Sequence, residues 1–331
     1  MPRGFEPVKI GVVGLGHFGL VHARTLAGIC EADLVAVVDQ RQDALDSCVA
    51  ELSGVTPFTD IEDAIRDAPA EAWIVASSTP SHVPVATQIL QAGKPVLVEK
   101  PIALSIAEAQ SLEPLVKADS SNLMMGHVAL FNSEYRQLVS ETDDRSPIMH
   151  VSAVRHRPYK LLELFPGESP FHLTMVHDLY CVLGLMRRRE PIRFSAQTHR
   201  TGEGQCNLAL AQLQWEDGAL ASFSAGFVVP PGMEGDGYDQ MDVFGDGWSA
   251  RLNTNPRPIQ LWDERARHPL ALEISDATDM PTGMLAEQLR CFCRVVRNES
   301  EVPMGAAYQD ALQIMRWIER LEAAAAEHEN E

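Results

Sequence analysis

Three groups of residues in this chain carry the means for chemistry on a hydroxyl. Glu99-Lys100-Pro101 follows directly on the apolar run Pro95 to Val98. A lysine at the carboxyl end of such a strand can donate hydrogen bonds to a ribose and to a substrate oxygen. Pro101 constrains Lys100 to an extended conformation as the chain leaves the strand. An exposed lysine in a turn is the plain alternative. His177-Asp178 lies in a helix-like segment farther on. A neutral imidazole there can take the proton from a substrate hydroxyl as hydride leaves its carbon; a histidine that merely packs or faces solvent is the alternative. The third group is Gly14-Leu15-Gly16-His17-Phe18-Gly19, entered from Lys9-Ile10-Gly11-Val12-Val13 and followed by a helix-like stretch, Leu20 to Ala27.

Context gives these glycines a mechanical meaning. Gly14 permits a tight turn, Gly16 lets the backbone approach a diphosphate, and Gly19 lets the helix lie close to the strand. The N–H groups at the helix start, where His17 and Phe18 fall, favour an anion together with the helix dipole. A second strand, Leu34 to Val38, ends on Asp39, a carboxylate placed to accept hydrogen bonds from ribose hydroxyls. An unliganded βαβ unit is the alternative, but the order strand, glycine turn, helix, strand, acid favours dinucleotide binding. Asp39 would repel a 2′-phosphate and favours NAD, whereas Arg41 leaves NADP open. Ser77-Ser78-Thr79-Pro80-Ser81-His82 ends another strand and is placed to line the nicotinamide half of the site. Ser78, Thr79, Pro80 and His82 join Glu99 and Lys100 as cofactor-side candidates; Ser81 as a cap of the next helix is compatible with this.

These residues need a scaffold. From Val8 to about His127 short apolar strands alternate with amphipathic helices, which implies a doubly wound parallel α/β sheet. Further strands are expected at Val55 to Phe58, Ala72 to Ala76, Pro95 to Val98 and Leu123 to Gly126. One helix starts near Ser81 and is stopped by Gly93, and another starts at the capping box Ser105-Ile106-Ala107-Glu108. The pattern then changes. Ile148 to Arg155, Ile192 to His199, Asn207 to Trp215 and Ala219 to Ala225 read as an antiparallel sheet, interrupted by one helical stretch, Phe171 to Leu185. Val229 to Gly237 reads as a loop, and helices return over Met284 to Val296 and from Ala306 to about Ala326. The expected organisation is a Rossmann domain over residues 1–127 and an α+β domain over 128–331, with the site at the carboxyl ends of the parallel strands.

Arg155, Arg157, Tyr159 and Lys160 are candidates for gripping an oxygen-rich or anionic substrate, with solvated surface as the alternative. His127 and His172 join Lys100, His177, Arg157 and Tyr159 as residues that would face the substrate. The histidines lack zinc-site spacing, so no metal is expected. A net charge of −19 over 331 residues argues against nucleic acid or an anionic membrane as a partner. Six scattered cysteines and the absence of a signal peptide or long apolar run fit a reduced, cytoplasmic, globular protein.

The chain resembles the glucose–fructose oxidoreductase / inositol dehydrogenase (Gfo/Idh/MocA) family of NAD(P)-dependent oxidoreductases along nearly its whole length. The likeness rests on Gly14 to Gly19, Thr79-Pro80 with His82, Ala92 to Pro101, Gly126-His127-Val128 and Met175-Val176-His177-Asp178-Leu179. It implies a Rossmann domain followed by an open-faced, mostly antiparallel sheet domain that provides the substrate pocket and commonly an oligomer interface, so a homodimer or homotetramer is expected. It also implies oxidation or reduction of a sugar, inositol or related polyol, with Lys100 and His177 as the active-site lysine and histidine. Many members carry an aspartate four residues before that histidine, and here the position is Leu173. Residues four apart share a helix face, so His177 lacks that orienting carboxylate. On an α-helix His172 points about 140° away, whereas Thr174 and Tyr180 share the face and offer hydroxyls. A histidine-only mechanism, another proton relay, a cofactor-binding sensor without turnover, and a non-redox enzyme using NAD transiently all remain open at this point.

Overall fold

The computed structural model describes residues 6–165, 167–230, 237–253, 261–262, 266–267 and 281–329. The chain divides into two compact units, one of residues 1–131 with 274–312, the other of 132–273 with 313–331.

In the first unit, buried runs make the strands β1 (Val8–Val13), β2 (Ala32–Val38), β3 (Thr56–Phe58), β4 (Ala72–Val75), β5 (Val96–Val98) and β6 (Leu123–Met125). Between them run the helices α1 (His17–Gly28), α2 (Gln42–Glu51), α3 (Ile61–Asp67), α4 (Thr79–Gln91) and α5 (Ile106–Gln110). All five pairings are parallel, in the order β3-β2-β1-β4-β5-β6. The order reverses between β1 and β4, and that switch point is where open α/β sheets bind ligands. Local chemistry sets the helix ends. Asp60 caps α3 through the N–H groups of Glu62 and Asp63, and Ser105 accepts from Glu108 N–H at α5. The reciprocal arm of the expected capping box reaches Leu104 N–H instead of that of Ser105. Gly93, at φ +71°, ends α4 as expected. The start of α4 differs from expectation: Ser78 is its N-cap residue, and Ser81 lies one turn inside with its hydroxyl on the Ser78 carbonyl.

In the second unit the strands are β7 (Ile148–Pro158), β8 (Arg193–Arg200), β9 (Cys206–Gln214), β10 (Leu220–Val229), β11 (Tyr238–Gly245) and β12 (Trp248–Leu252). They lie in the order β12-β11-β7-β10-β9-β8, antiparallel except where β7 meets β10. The helices α6 (Ser133–Thr142), α7 (Leu161–Leu164) and α8 (Val176–Leu185) complete this part, with α8 packed on β7 and α6. The other face of the sheet carries a concavity of about 350 Å³ lined by Ser152, Ser195, Gln197, Gln212, Ser222 and Ser224. Within the expected loop Val229 to Gly237, Val229 ends β10 and residues 231–236 lie outside the described residues.

The expected division at 127/128 is corrected by the helices α9 (Gly283–Val296) and α10 (Tyr308–Glu329). α9 packs on α1 and on the turn Val128–Phe131, and Arg290 pairs with Glu31. Ala306 accepts a hydrogen bond from Met125 N–H, and Ala307 bridges Met124, so this segment covers the β6 edge. Tyr308 donates its hydroxyl to the Ala109 carbonyl. The remainder of α10 belongs to the second unit, where Trp317 meets Trp215 edge-on and donates to Glu190. No helix of the described residues is long and apolar enough to cross a membrane.

Candidate active site

In the first unit the site is organised by one row of hydrogen bonds at the carboxyl edge of the sheet. Asp39 N–H donates to Phe58, Gly14 N–H to Val38, Ala76 N–H to Val13, Glu99 N–H to Val75 and Gly126 N–H to Val98, at 2.7–3.2 Å. The glycine turn, Asp39, the Ser77 segment, Lys100 and His127 therefore leave the sheet from one level.

The glycine turn fits a dinucleotide diphosphate. Gly14 has φ +90°, and a Cβ there would lie 2.5 Å from Ser77 Cα. A Cβ on Gly19 would lie 1.9 Å from the Gly14 carbonyl oxygen. A Cβ on Gly16 meets nothing within 4 Å, so the backbone is open on that side. Gly16 and His17 are exposed, Phe18 is half-buried, and no side chain caps α1, leaving that terminus able to receive an anion. Asp39 holds the turn from β2: its Oδ2 accepts Leu15 N–H at 2.7 Å and its Oδ1 accepts Arg41 N–H at 2.9 Å. Each carboxylate oxygen keeps capacity for a ribose hydroxyl. Arg41 reaches the Leu15 carbonyl at 3.3 Å and Asp39 at 3.4 Å. Its guanidinium is thus engaged with the turn itself.

Behind Lys100 the packing is tight. Glu99 is buried, and its carboxylate meets His22 Nε2 at 2.9 Å and Lys100 N–H at 3.3 Å. A Cβ on Gly126 would sit 2.5 Å from Glu99 Oε1, so glycine is required there. Glu99 therefore anchors the strand end that presents the half-buried Lys100. His22, fully buried on α1 and edge-on to Phe18, is a supporting residue that sequence reading missed. Its signal was faint, a histidine on an apolar helix face whose partner lies 77 residues away. The Lys100–Pro101 peptide is cis.

The structure corrects His82. It is buried, with Nδ1 2.8 Å from the Pro101 carbonyl and Nε2 3.0 Å from the Ser77 carbonyl. It ties two site loops together rather than reaching a cofactor. Ser78 and Pro80 are exposed and Thr79 half-buried at the start of α4. His127 is corrected likewise: it is buried, with Nδ1 2.6 Å from the Gly305 carbonyl, and burial lowers its imidazole below the ordinary value of 6.5.

In the second unit the helix bearing His177 opens with a π-helical turn, Phe171–Met175, in which Val176 N–H reaches the Phe171 carbonyl. Such turns recur at functional sites. The angular argument for His172 rests on α-helical spacing and does not hold across this turn. His172 is turned elsewhere all the same, 3.1 Å from Glu322. Thr174 donates to the Pro170 carbonyl at 2.8 Å and does not serve His177. Tyr180 does: its hydroxyl lies 2.6 Å from His177 Nδ1.

Asp178 anchors the same helix. Arg155 grips it through two bonds of 3.0 and 2.8 Å and also reaches Asp239 at 3.2 Å. Burial disfavours the Arg155 charge, but the Asp178 and Asp239 carboxylates more than restore it, while burial raises the Asp178 carboxyl above its ordinary value against the pull of Arg155. Arg157 is corrected too, since its guanidinium forks onto Asp239 and leaves the substrate-gripping role without support. Tyr159 and Lys160 are exposed. Among the described residues no group of three or more His, Cys, Asp or Glu is arranged to hold a metal ion.

Residues 8–127 match the model of the oxidoreductase family with an NAD-binding Rossmann fold (GFO_IDH_MocA). The chain is 35% identical over 200 residues to inositol 2-dehydrogenase 1 of Saccharopolyspora erythraea, a match covering 59% of this chain and 58% of that protein. It is 25% identical over 269 residues to myo-inositol 2-dehydrogenase of Thermotoga maritima, covering 78% and 79%. Its fold is that of a scyllo-inositol dehydrogenase from Lactobacillus casei, solved with NAD(H) and scyllo-inositol, with a TM-score of 0.84 over 97% of this chain and 98% of that one at 22% identity.

Proposed function

Because the chain belongs to the Gfo/Idh/MocA oxidoreductase family, with its NAD-binding Rossmann fold, we propose that it is an NAD-dependent dehydrogenase of an inositol or related polyol hydroxyl. The observation that carries this reading is the single row of hydrogen bonds that brings the glycine turn, Asp39 and Lys100 to one sheet edge. NAD, when bound, supplies the hydride acceptor at nicotinamide C4, and its reduced form the donor. Gly16 and the start of α1 hold the diphosphate, and Asp39 the adenosine ribose. Lys100 hydrogen-bonds the substrate oxygen and stabilises the negative charge that grows there, the larger contribution. His177 takes the hydroxyl proton, adding a factor of about 10² to 10⁴. In the reverse direction His177 returns the proton to the carbonyl oxygen. A polyol suits this division of labour, since it brings hydroxyls and no charge for Lys100 to neutralise.

We further propose that the chain works as a homo-oligomer joined through the face of its second sheet opposite α8, where Leu210, Leu220 and Phe244 are exposed among the described residues. The test of function is the nicotinamide absorbance of protein incubated with NAD and a panel of inositols, sugars and their keto forms. Substrate-dependent NADH formation is expected, and Lys100→Ala should abolish it while NADH still binds. NADH binding without net redox change across the panel would overturn the dehydrogenase in favour of a cofactor sensor.

A further inference from the structure

We propose that Tyr180 is the positioning residue of His177, holding ring nitrogen Nδ1 through its hydroxyl so that Nε2 exchanges the proton with the substrate. The inference rests on the reading of His177 as the proton-transfer group. The two side chains lie three residues apart on the first turn of α8, with Tyr180 Oη 2.6 Å from Nδ1. Their rings stand 5.6 Å apart at 70°. Tyr180 is wholly buried, so the phenol is fixed by packing, while the histidine is half-buried.

Thr174, His172 and Asp178 are directed to other partners. Thr174 bonds Pro170, and His172 lies on Glu322 of α10. Asp178, beside His177 in sequence, is gripped by Arg155 of β7, and Asp239 of β11 is shared between Arg155 and Arg157. Leu173 has no polar atom to offer. The π-helical turn ends at Met175, so α geometry begins with Val176 and the three-residue spacing from His177 to Tyr180 falls wholly within it.

A phenol does what a carboxylate does here, and something a carboxylate cannot. In oxidation, His177 Nδ1–H donates to Tyr180 Oη, and the Nε2 lone pair takes the substrate hydroxyl proton as the carbinol hydride passes to NAD. The alcohol becomes a carbonyl, and the imidazolium carries the proton. In reduction the proton leaves Nε2 for the new alkoxide oxygen. The phenol can accept from Nδ1–H or, by rotating its own proton, donate to a bare Nδ1, so it supports either ring tautomer. An ionised carboxylate accepts only. Tyr180 thereby gives orientation without placing a fixed negative charge on the ring.

The test is Tyr180→Phe in the full-length protein, which removes one oxygen and keeps the buried ring. The expected kcat falls about 10- to 100-fold with little change in KM for the polyol, the scale of losing a group that orients a functional histidine. Because the hydroxyl accepts from the protonated ring, its loss disfavours that form, and the acid limb of the kcat/KM profile moves to lower pH. A purely structural role would lower thermal stability and leave that limb in place. Ring-nitrogen NMR of histidine-labelled protein, with His177→Asn to assign the signal, gives a readout independent of turnover. Wild type should show a slowly exchanging Nδ1–H on the protonated His177 ring, and Tyr180→Phe should lose it. The absence of that resonance from wild type overturns the proposal even if the variant does not fold. A protein that binds NADH but turns over no polyol defeats the dehydrogenase reading while the resonance still reports on Tyr180. Turnover with an unshifted acid limb in Tyr180→Phe defeats the positioning role alone.

Discussion

Gly16 and Gly19 stand three residues apart and need to be glycine for different reasons, which makes them separable. Gly19→Ala drives a methyl into the Gly14 carbonyl, so the protein should lose stability by about 1–3 kcal/mol or more. Gly16→Ala places its methyl in open space and should melt like wild type, yet lose NADH binding because the diphosphate needs that space. Thermal melts with and without NADH read both effects, and a Gly16→Ala protein that keeps its NADH-induced stabilisation would count against diphosphate binding at the turn. The placement of these glycines, Asp39 and the Glu99-Lys100-Pro101 step at strand ends was legible in the sequence because its signal is local, a spacing beside an apolar run. His82, Arg155 and Arg157 were misread because their meaning depends on distant partners. Arg157 meets Asp239 across 82 residues, and nothing near Arg157 announces that carboxylate. The π-helical turn was equally hidden, since its apolar pattern fits an ordinary helix.

Among the elements, β11 shows why the second unit was read less fully than the first. It carries two aspartates in eight residues, which obscures the alternation that marks a strand. One of them, Asp239, is buried as the shared partner of Arg155 and Arg157. Such a cluster adds little net stability over an apolar one, but removing one partner typically costs about 3–5 kcal/mol because it leaves a buried charge uncompensated. It fixes β7, β11 and α8 in one register and so holds the turn that bears His177. At the joint where β6 meets the Gly305 segment, titration rather than pairing is the issue. Burial holds the His127 imidazole below 6.5, so below that value the unfolded chain takes up a proton that the folded one refuses. Stability is therefore full above the ordinary value and declines as pH falls beneath it. Melting temperature followed downward from neutral pH should drop, and His127→Asn should flatten the decline, leaving the contribution of His156, which burial lowers in the same direction.

For the whole molecule, the informative feature is that neither unit is one stretch of chain. The boundary falls at 131/132 and again within α10 at 312/313, because α9 and the residues around Ala306 pack with the Rossmann sheet. Composition and periodicity mark where strands give way to a new pattern, but not that a late helix returns to an early sheet. A protein cut after residue 131 retains all six strands β1 to β6 and the whole glycine turn, yet lacks α9 and the cover over β6. It should aggregate rather than bind NADH, as gel filtration and NADH fluorescence would report. A soluble, NADH-binding fragment would contradict the importance of the returning segment.

That returning segment also sets an order of events at the ribosome. β6 is the outermost strand of its sheet, and the groups that close it, Ala306 and Ala307, are translated after the entire second sheet. Through most of synthesis the nascent Rossmann sheet therefore keeps an open hydrogen-bonding edge beside a fully apolar strand, the kind of edge that recruits other chains. The parallel sheet thus precedes the second sheet along the chain, yet its edge is closed only after that sheet has been made.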